Sequence, residues 1–242
     1  MNMKNAPGLK SFYSTVPMPC PYLKNRTERK LATDISSGDS QWWANALSRS
    51  GFRRSHTVCY IAACPGCDAC ISVRIRNDDF VPSKKMKKTL RLNAGLEMSV
   101  IPNVATPEQY NLFHDYLTLR HSDSEMNTMY FEEYRAMIED TPVDCVLLEL
   151  RETATSRLRG VMLADVLDDG VSAVYSFFDP KTPRNSLGTF LILKLVEFAR
   201  SRGLPYVYLG YYIRECPNMA YKNRFRPLEY CLNGKWKKSL AD

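Results

Sequence analysis

The feature that most restricts the fold lies between residues 145 and 213. Three strand-like runs, CVLLELRE, LRGVMLADVL and VSAVYSFFD, precede a long amphipathic segment, TFLILKLVEFARSRG, and one more run, YVYLGYYI. The runs are rich in β-branched and aromatic residues and are separated by polar or Asp-Asp-Gly turns, so they read as an antiparallel meander. The amphipathic segment reads as a helix closing on Gly203, a residue suited to a C-cap. Gly188, in the loop PKTPRNSLG, opens this helix and leaves its first backbone N–H groups free to face an anion.

A meander, a glycine-opened helix and a further strand form the order of an α+β, GNAT-like acyltransferase domain, a mixed sheet flanked by helices. RNSLG is a loose version of the glycine loop that holds coenzyme A pyrophosphate in that class. It lacks the second glycine, and Thr189 follows Gly188. The phosphate ligand is therefore open between coenzyme A and another carrier.

Upstream, WWANALSRSGF predicts a short helix ending at Gly51, and TVCYIA and ISVRI predict strands around a cysteine loop. SKKMKKTLRLNAGL predicts a basic helix. EMSVIP reads as a strand and YFEEYRAMIED as a helix. Thr106 and Pro107 start a helix over PEQYNLFHDYLTLRHS. This divides the chain into an N-terminal cysteine-containing region, residues 1–96, and an acyltransferase-like domain, residues 97–242.

Charge is uneven. The net value is +7, but Arg74–Arg91 holds seven basic and two acidic residues, and His121–Asp169 holds four basic and twelve acidic ones. From Ser201 onward there are eight basic residues and three acidic. Two basic blocks flanking an acidic middle suit a polyanionic partner, or a solvated surface. The N-terminus carries no apolar run like a signal peptide, and no stretch approaches a membrane span. The expectation is a cytoplasmic protein with no membrane partner, in which eight cysteines are not disulfides.

Three of those cysteines, Cys64, Cys67 and Cys70, stand in ACPGCDACISVRI, with Cys20 far upstream. Together they make a four-thiol set of the kind that structural zinc or an iron–sulfur cluster needs. The spacing is half of a paired CxxC motif, so buried or redox-sensitive thiols are the other reading. Cys59, Cys145, Cys216 and Cys231 read as structural or incidental.

From Cys20 to Pro227 the segments CPYL, RTERKLATD, GFRRSHTVCY, ACPGCDACISVR, AVYSFFDP, SLGTF, YVYLGYYI and MAYKNRFRP occur in order. In this register the chain resembles the bacterial aspartate/glutamate leucyltransferases, relatives of the arginyl-tRNA–protein transferases. The resemblance implies transfer of leucine from leucyl-tRNA to the N-terminal Asp or Glu of a protein, marking it for N-degron degradation. It also implies the GNAT-like fold read above. The eukaryotic relatives carry CxxC where this chain has CPYL, so Leu23 stands in place of one cysteine. Rival readings are arginyl transfer, a CoA-dependent N-acetyltransferase and a non-enzymatic RNA-binding module.

The implied chemistry needs little machinery. The donor ester is already activated, and the acceptor α-amine has a pKa near 8. Placing the two together, one weak base and donors to the developing oxyanion are sufficient, and no cofactor is required. Ser176, Asp179 and Tyr208 are the expected catalytic residues; the three histidines form no triad signature. The acceptor carboxylate calls for a cation, and Arg184, Lys222, Arg224 and Arg226 are available, some of them for RNA phosphates instead. The single-stranded 3′ end calls for aromatic faces, offered by Tyr175, Phe177, Tyr208, Tyr211, Tyr212 and Tyr221. About half of these will face a core, and Phe177 and Phe178 must face opposite sides. Ser186 and Gly188 line the phosphate loop, and Gly210 marks a bulge or a close approach in YLGYY. Oligomeric state is not legible.

Overall fold

A computed structural model describes residues 8–122 and 125–240. The N-terminal part begins with β1 (Tyr13–Ser14), β2 (Met18–Pro19), β3 (Thr27–Glu28) and β4 (Lys30–Asp34). Helix α1 (Ser40–Arg49), β5 (Arg53–Ser55) and β6 (Val58–Ala62) follow. β1, β4, β6 and β5 make a four-stranded sheet in that order, and β2 pairs with β3 beside it.

Next come β7 (Ile71–Arg76), α2 (Lys84–Leu92), β8 (Leu96–Pro102), α3 (Pro107–Arg120) and α4 (Phe131–Glu139). The meander is β9 (Cys145–Glu152), β10 (Leu158–Val166) and β11 (Gly170–Phe178). It is followed by α5 (Leu187–Ser201), β12 (Tyr206–Tyr212), α6 (Pro217–Ala220), β13 (Leu228–Leu232) and β14 (Lys235–Lys237). The large sheet runs β14-β13-β7-β12-β11-β10-β9-β8. Strand β7, which precedes residue 96 in the chain, thus lies inside it, between β13 and β12.

Helices cover both faces of this sheet. Leu148, Leu150, Met162 and Ala164 point to the α5 side, where α5 alone buries nine residues. Leu147, Val161, Leu163 and Phe177 point to α3 and α4 and meet Phe113, Leu117 and Tyr134. Two covered faces explain why the middles of β9 and β10, residues 146–148 and 161–164, are consecutive apolar runs rather than alternating with polar residues. Each large side chain so buried contributes about 1.5–3 kcal/mol. Thr106 caps α3 as its sequence predicts: its Oγ1 accepts from Gln109 N at 3.2 Å, and Gln109 Oε1 accepts from Thr106 N at 3.0 Å.

One break in the sheet positions everything that follows. β11 and β12 are parallel, but they pair only over Gly170–Ser172 and Tyr206–Tyr208. Beyond these residues the two strands separate, and β12 shifts register against β7 between Tyr208 and Gly210.

Candidate active site in the strand split

The opening between β11 and β12 leads into two joined chambers of about 440 and 470 Å3. Tyr116, His121, Ser176, Asn218 and Tyr221 line both, so they mark the junction.

The outer chamber is built on the start of α5. Ser186 takes a left-handed conformation there (φ 51°), and Leu187, Gly188 and Thr189 present the first turn to the cavity. A Cβ on Gly188 would stand 2.9 Å from Phe178 Cε1, so glycine is what lets strand and helix meet at this point. The N-terminus of a fifteen-residue helix carries a partial positive charge and unpaired N–H groups, which favours an anion. Exposed Arg224 and Arg120 add charge at the same cavity.

Asp179 also borders the outer chamber, but both its oxygens are engaged. Oδ1 accepts from Lys181 N at 2.8 Å, and Oδ2 stands 3.2 Å from Arg159 Nε and 3.4 Å from Arg157 Nη2. Its carboxylate thereby ties the end of β11 to β10 and to the turn after it. Arg184 and Arg226 are exposed and line neither chamber; Arg226 donates to Asn223 Oδ1.

The inner chamber is lined by apolar Met126, Met162, Ile192 and Leu209 and by two cations, Arg53 and Lys222. None of the residues lining it is acidic. Arg53 arrives from β5 in the smaller sheet and plugs the split: Nη2 donates to Ala173 O at 3.1 Å and to Val174 O at 3.4 Å. Those carbonyls belong to the part of β11 that β12 has left. Gly210 lies beneath the guanidinium. It has φ 74°, and a Cβ there would overlap Arg53 Nη1 at 1.4 Å, so both backbone and space exclude any larger residue. Lys222 is buried; its Nζ donates to Tyr211 O at 2.6 Å and lies 3.3 Å from Met219 Sδ. Burial, and then the charge of Arg53, lower its pKa to about 7. At the junction, burial and the charge of Arg120 hold the His121 pKa below its ordinary value; its Nε2 is 3.2 Å from Tyr116 Oη.

The split thus brings together Tyr175, Ser176, Ser186, Gly188, Lys222 and Arg224 of the expected residues, with Gly210 beneath Arg53. Besides Arg184 and Arg226, Phe177, Tyr208 and Tyr211 lie elsewhere. Phe177 is buried in the α3–α4 core, while Phe178 turns towards Gly188. Tyr208 lies in a small recess on the far side of Arg53, where its hydroxyl donates to Asp169 Oδ2 (2.9 Å) and accepts from Arg74 Nη1 (3.1 Å). Tyr211 points away, its hydroxyl accepting from Ala62 N at 2.8 Å beside the cysteines. Arg53, Tyr116, His121 and Asn218 were not singled out by the sequence. Only Arg53 had a signal, because the twin arginines of GFRRSH lie in one of the resembling segments.

Cys20, Cys64, Cys67 and Cys70 do come together around one small cavity under Tyr211. Burial, then the neighbouring Cys20, Cys64 and Cys67, push the Cys70 thiol up to about 12. Cys64 Sγ accepts from Arg29 N, and Cys67 Sγ from Arg26 Nη1. Among the described residues, however, no group of three or more His, Cys, Asp or Glu is arranged to hold a metal ion. Cys20, Cys64, Cys67 and Cys70 are the thiols that a zinc ion or a cluster would have to use, and they are not drawn together as ligands here. Among the described residues no helix is long and apolar enough to cross a membrane.

Comparison with known proteins agrees with this architecture. The family model "Arginine-tRNA-protein transferase, N terminus" matches residues 18–88, and "Arginine-tRNA-protein transferase, C terminus" matches residues 108–232. An aspartate/glutamate leucyltransferase of Gluconacetobacter diazotrophicus is 50% identical over 93% of this chain and 86% of its own length. One of Paramagnetospirillum magneticum is 48% identical over 94% of this chain and 93% of its own. In structure, the C-terminal domain of a putative lysylphosphatidylglycerol synthetase from Agrobacterium fabrum superposes with a TM-score of 0.50. It shares 14% identity and covers 81% of this chain and 62% of that one, a likeness of fold alone. With a mixed eight-stranded sheet flanked by helices and two matching family segments, the chain belongs to the arginyl-tRNA–protein transferase family and is a GNAT-like aminoacyl-tRNA–protein transferase.

Proposed function

We propose that this enzyme transfers leucine from leucyl-tRNA to the N-terminal amine of proteins that begin with Asp or Glu, tagging them for degradation by the N-degron route. The observation that carries the donor assignment is the lining of the inner chamber, apolar side chains together with two cations and no acid. A leucyl side chain gains by burial against Met162, Ile192 and Leu209. An arginyl side chain would meet Arg53 and Lys222 with no carboxylate to pair with, which disfavours arginyl transfer. The 3′-terminal phosphate fits the outer chamber at the start of α5, with Gly188, Ser186 and Arg224 around it and Tyr221 and Tyr175 offering ring faces.

The ester carbon then lies near the junction. The amine nitrogen attacks it, a C–N bond forms, and the ester C–O bond to the ribose breaks. The amine loses a proton and the ribose oxygen gains one. His121 is neutral at physiological pH and stands at the junction, so it can take the first proton and return it to the leaving oxygen, with Tyr116 orienting its ring. Ser176 on β11, which lines both chambers, orients the amine in this reading. The decisive assay supplies labelled leucyl- or arginyl-tRNA with peptides beginning Asp, Glu or Lys. Label should pass from leucyl-tRNA to the Asp and Glu peptides; arginine transfer exceeding leucine transfer would overturn the reading.

Helix α2 supports an RNA-sized donor. Lys84, Lys85, Lys87, Lys88 and Arg91 are all exposed on it, and its end is tied to the phosphate loop by Asn93 Nδ2 donating to Asn185 O at 2.8 Å. Changing the four lysines to glutamine should flatten the plot of log affinity for tRNA against log salt by about 3–4, since each phosphate contact adds roughly 0.7–0.9 to that slope. Transfer from a short leucylated 3′-end oligonucleotide should be unchanged. An unaltered slope would remove α2 from the tRNA path.

Zinc or an iron–sulfur cluster on Cys20, Cys64, Cys67 and Cys70 stays a separate question, settled by metal analysis and an absorption spectrum of anaerobically purified enzyme. A colourless, metal-free, active sample excludes it.

A further inference from the structure

The inner chamber holds two cations that the transfer step described above does not use. Arg53 and Lys222 line the same cavity, neither is in an ion pair among the described residues, and no lining residue is acidic. Burying one cation without an anion is costly, and placing a second beside it adds repulsion. The charge of Arg53 is indeed one of the causes that lower the Lys222 pKa. Such an arrangement is relieved when a carboxylate arrives.

The geometry points to a carboxylate subsite formed by Arg53 and Lys222, which takes the side chain of the acceptor's N-terminal Asp or Glu. The inference rests on the aminoacyl-transfer reading above and adds what selects the acceptor. Three features favour it. Arg53 is fixed in orientation by Ala173 O and Val174 O and cannot swing out without losing both bonds. Lys222 Nζ has three protons, of which Tyr211 O takes one and Met219 Sδ a second, weaker one. A rigid fork beside a compact ammonium matches the two oxygens of one carboxylate. The junction residues Ser176 and His121 border the same chamber, so the α-amine next to that carboxylate falls where the ester is attacked.

The subsite also brings the two halves of the chain into one function. Arg53 comes from β5 of the small sheet, and Lys222 follows β12 of the large one. A neutral Asn or Gln side chain would leave buried Lys222 and half-buried Arg53 without a counter-charge, and a basic one would be repelled. Selection of this type, by charges left unpaired when the wrong group enters, gives discrimination of about 100-fold or more.

The test compares kcat/KM for two acceptor peptides that differ only in an N-terminal Asp or Asn. The wild type, K222M, R53Q and R53K are each assayed with leucyl-tRNA. The wild-type preference for Asp should be about 100-fold or more, and K222M or R53Q should reduce the Asp:Asn ratio at least about 10-fold, mainly through KM for the Asp peptide. R53K, which keeps the charge but not the fork, should fall between. A role confined to folding would lower both peptides alike and leave the ratio unchanged, and that result overturns the subsite. Wild-type enzyme that transfers leucine to neither peptide would overturn the transfer reading itself. If R53Q fails to fold, K222M alone decides.

Discussion

Replacing Asp165 with alanine should cost about 3–5 kcal/mol of folding stability, the range for breaking a buried ion pair by removing one partner. Asp165 lies on β10, and its two oxygens accept from Arg54 Nε (2.8 Å) and Nη2 (2.5 Å). Both side chains are 4% exposed or less. Alanine would leave the guanidinium buried with one remaining partner, His56 O. The double variant R54M/D165L removes both charges and keeps much of the volume, so it should recover most of the loss. Urea unfolding of the two single variants and the double gives the cycle directly. A cost below about 1 kcal/mol for D165A would mean that the pair is solvated and holds nothing together.

The same variant should abolish transfer even at temperatures where it stays folded. Arg54 and Arg53 are neighbours on β5, and successive strand residues face opposite ways. Arg54 anchors β5 to the large sheet through Asp165, and that anchor sets where Arg53 enters the split. A strand released by about an ångström withdraws Arg53 from Ala173 O and opens the space above Gly210. The double variant, refolded but without the anchor, separates stability from placement: it should be stable and still impaired.

How much of this the sequence carried depends on distance along the chain. Periodicity within ten or fifteen residues located the meander, α3 with its Thr106 cap, and α5, because neighbours in sequence decide those elements. Several strands were passed over, β13 and β14 among them. LEYCL and KWK form β13 and β14, although Asn233 and Gly234 between them, with φ of 50° and 72°, are a strong hairpin signal. RKLATDI yielded β4, hidden because its charged residues mask a short partly buried run. The site was legible only in part. Gly188, Ser186, Ser176 and Lys222 border the two chambers, while Asp179 and Tyr208 have partners that no local pattern reveals: Arg159 and Arg157 for one, Asp169 and Arg74 for the other. His121 and Arg53 reach the split from α3's end and from β5, more than fifty and one hundred residues from Ser176. Gly210 was flagged as a close approach, yet what approaches it is visible only once the two sheets are assembled.

Lys222→Met should make the enzyme more stable while it loses acceptor selection, and the gain should depend on pH. In the folded chain the Lys222 pKa is about 7, against 10.5 for an ordinary lysine. The folded state therefore holds fewer protons than the unfolded state between these values, so wild-type stability rises with pH across that window. Below pH 7 the full penalty of a buried ammonium is present. At 1.36 kcal/mol per pKa unit the gap sets a ceiling of roughly 4–5 kcal/mol. The lost bond to Tyr211 O returns about 1 kcal/mol of that, which leaves about 3–4 kcal/mol. For a chain of this length the unfolding midpoint should rise by about 5–10 °C at pH 6, and the advantage should shrink towards zero near pH 10. Thermal unfolding of wild type and K222M at pH 6, 8 and 10 reads this out. An equal midpoint at pH 6 would show that Lys222 already has a counter-charge in the free enzyme, and the vacancy for an acceptor carboxylate would go with it. A gain at pH 6 that fades at pH 10 means that the fold tolerates an unfavourable cation at rest, as a site does whose anion arrives with the substrate.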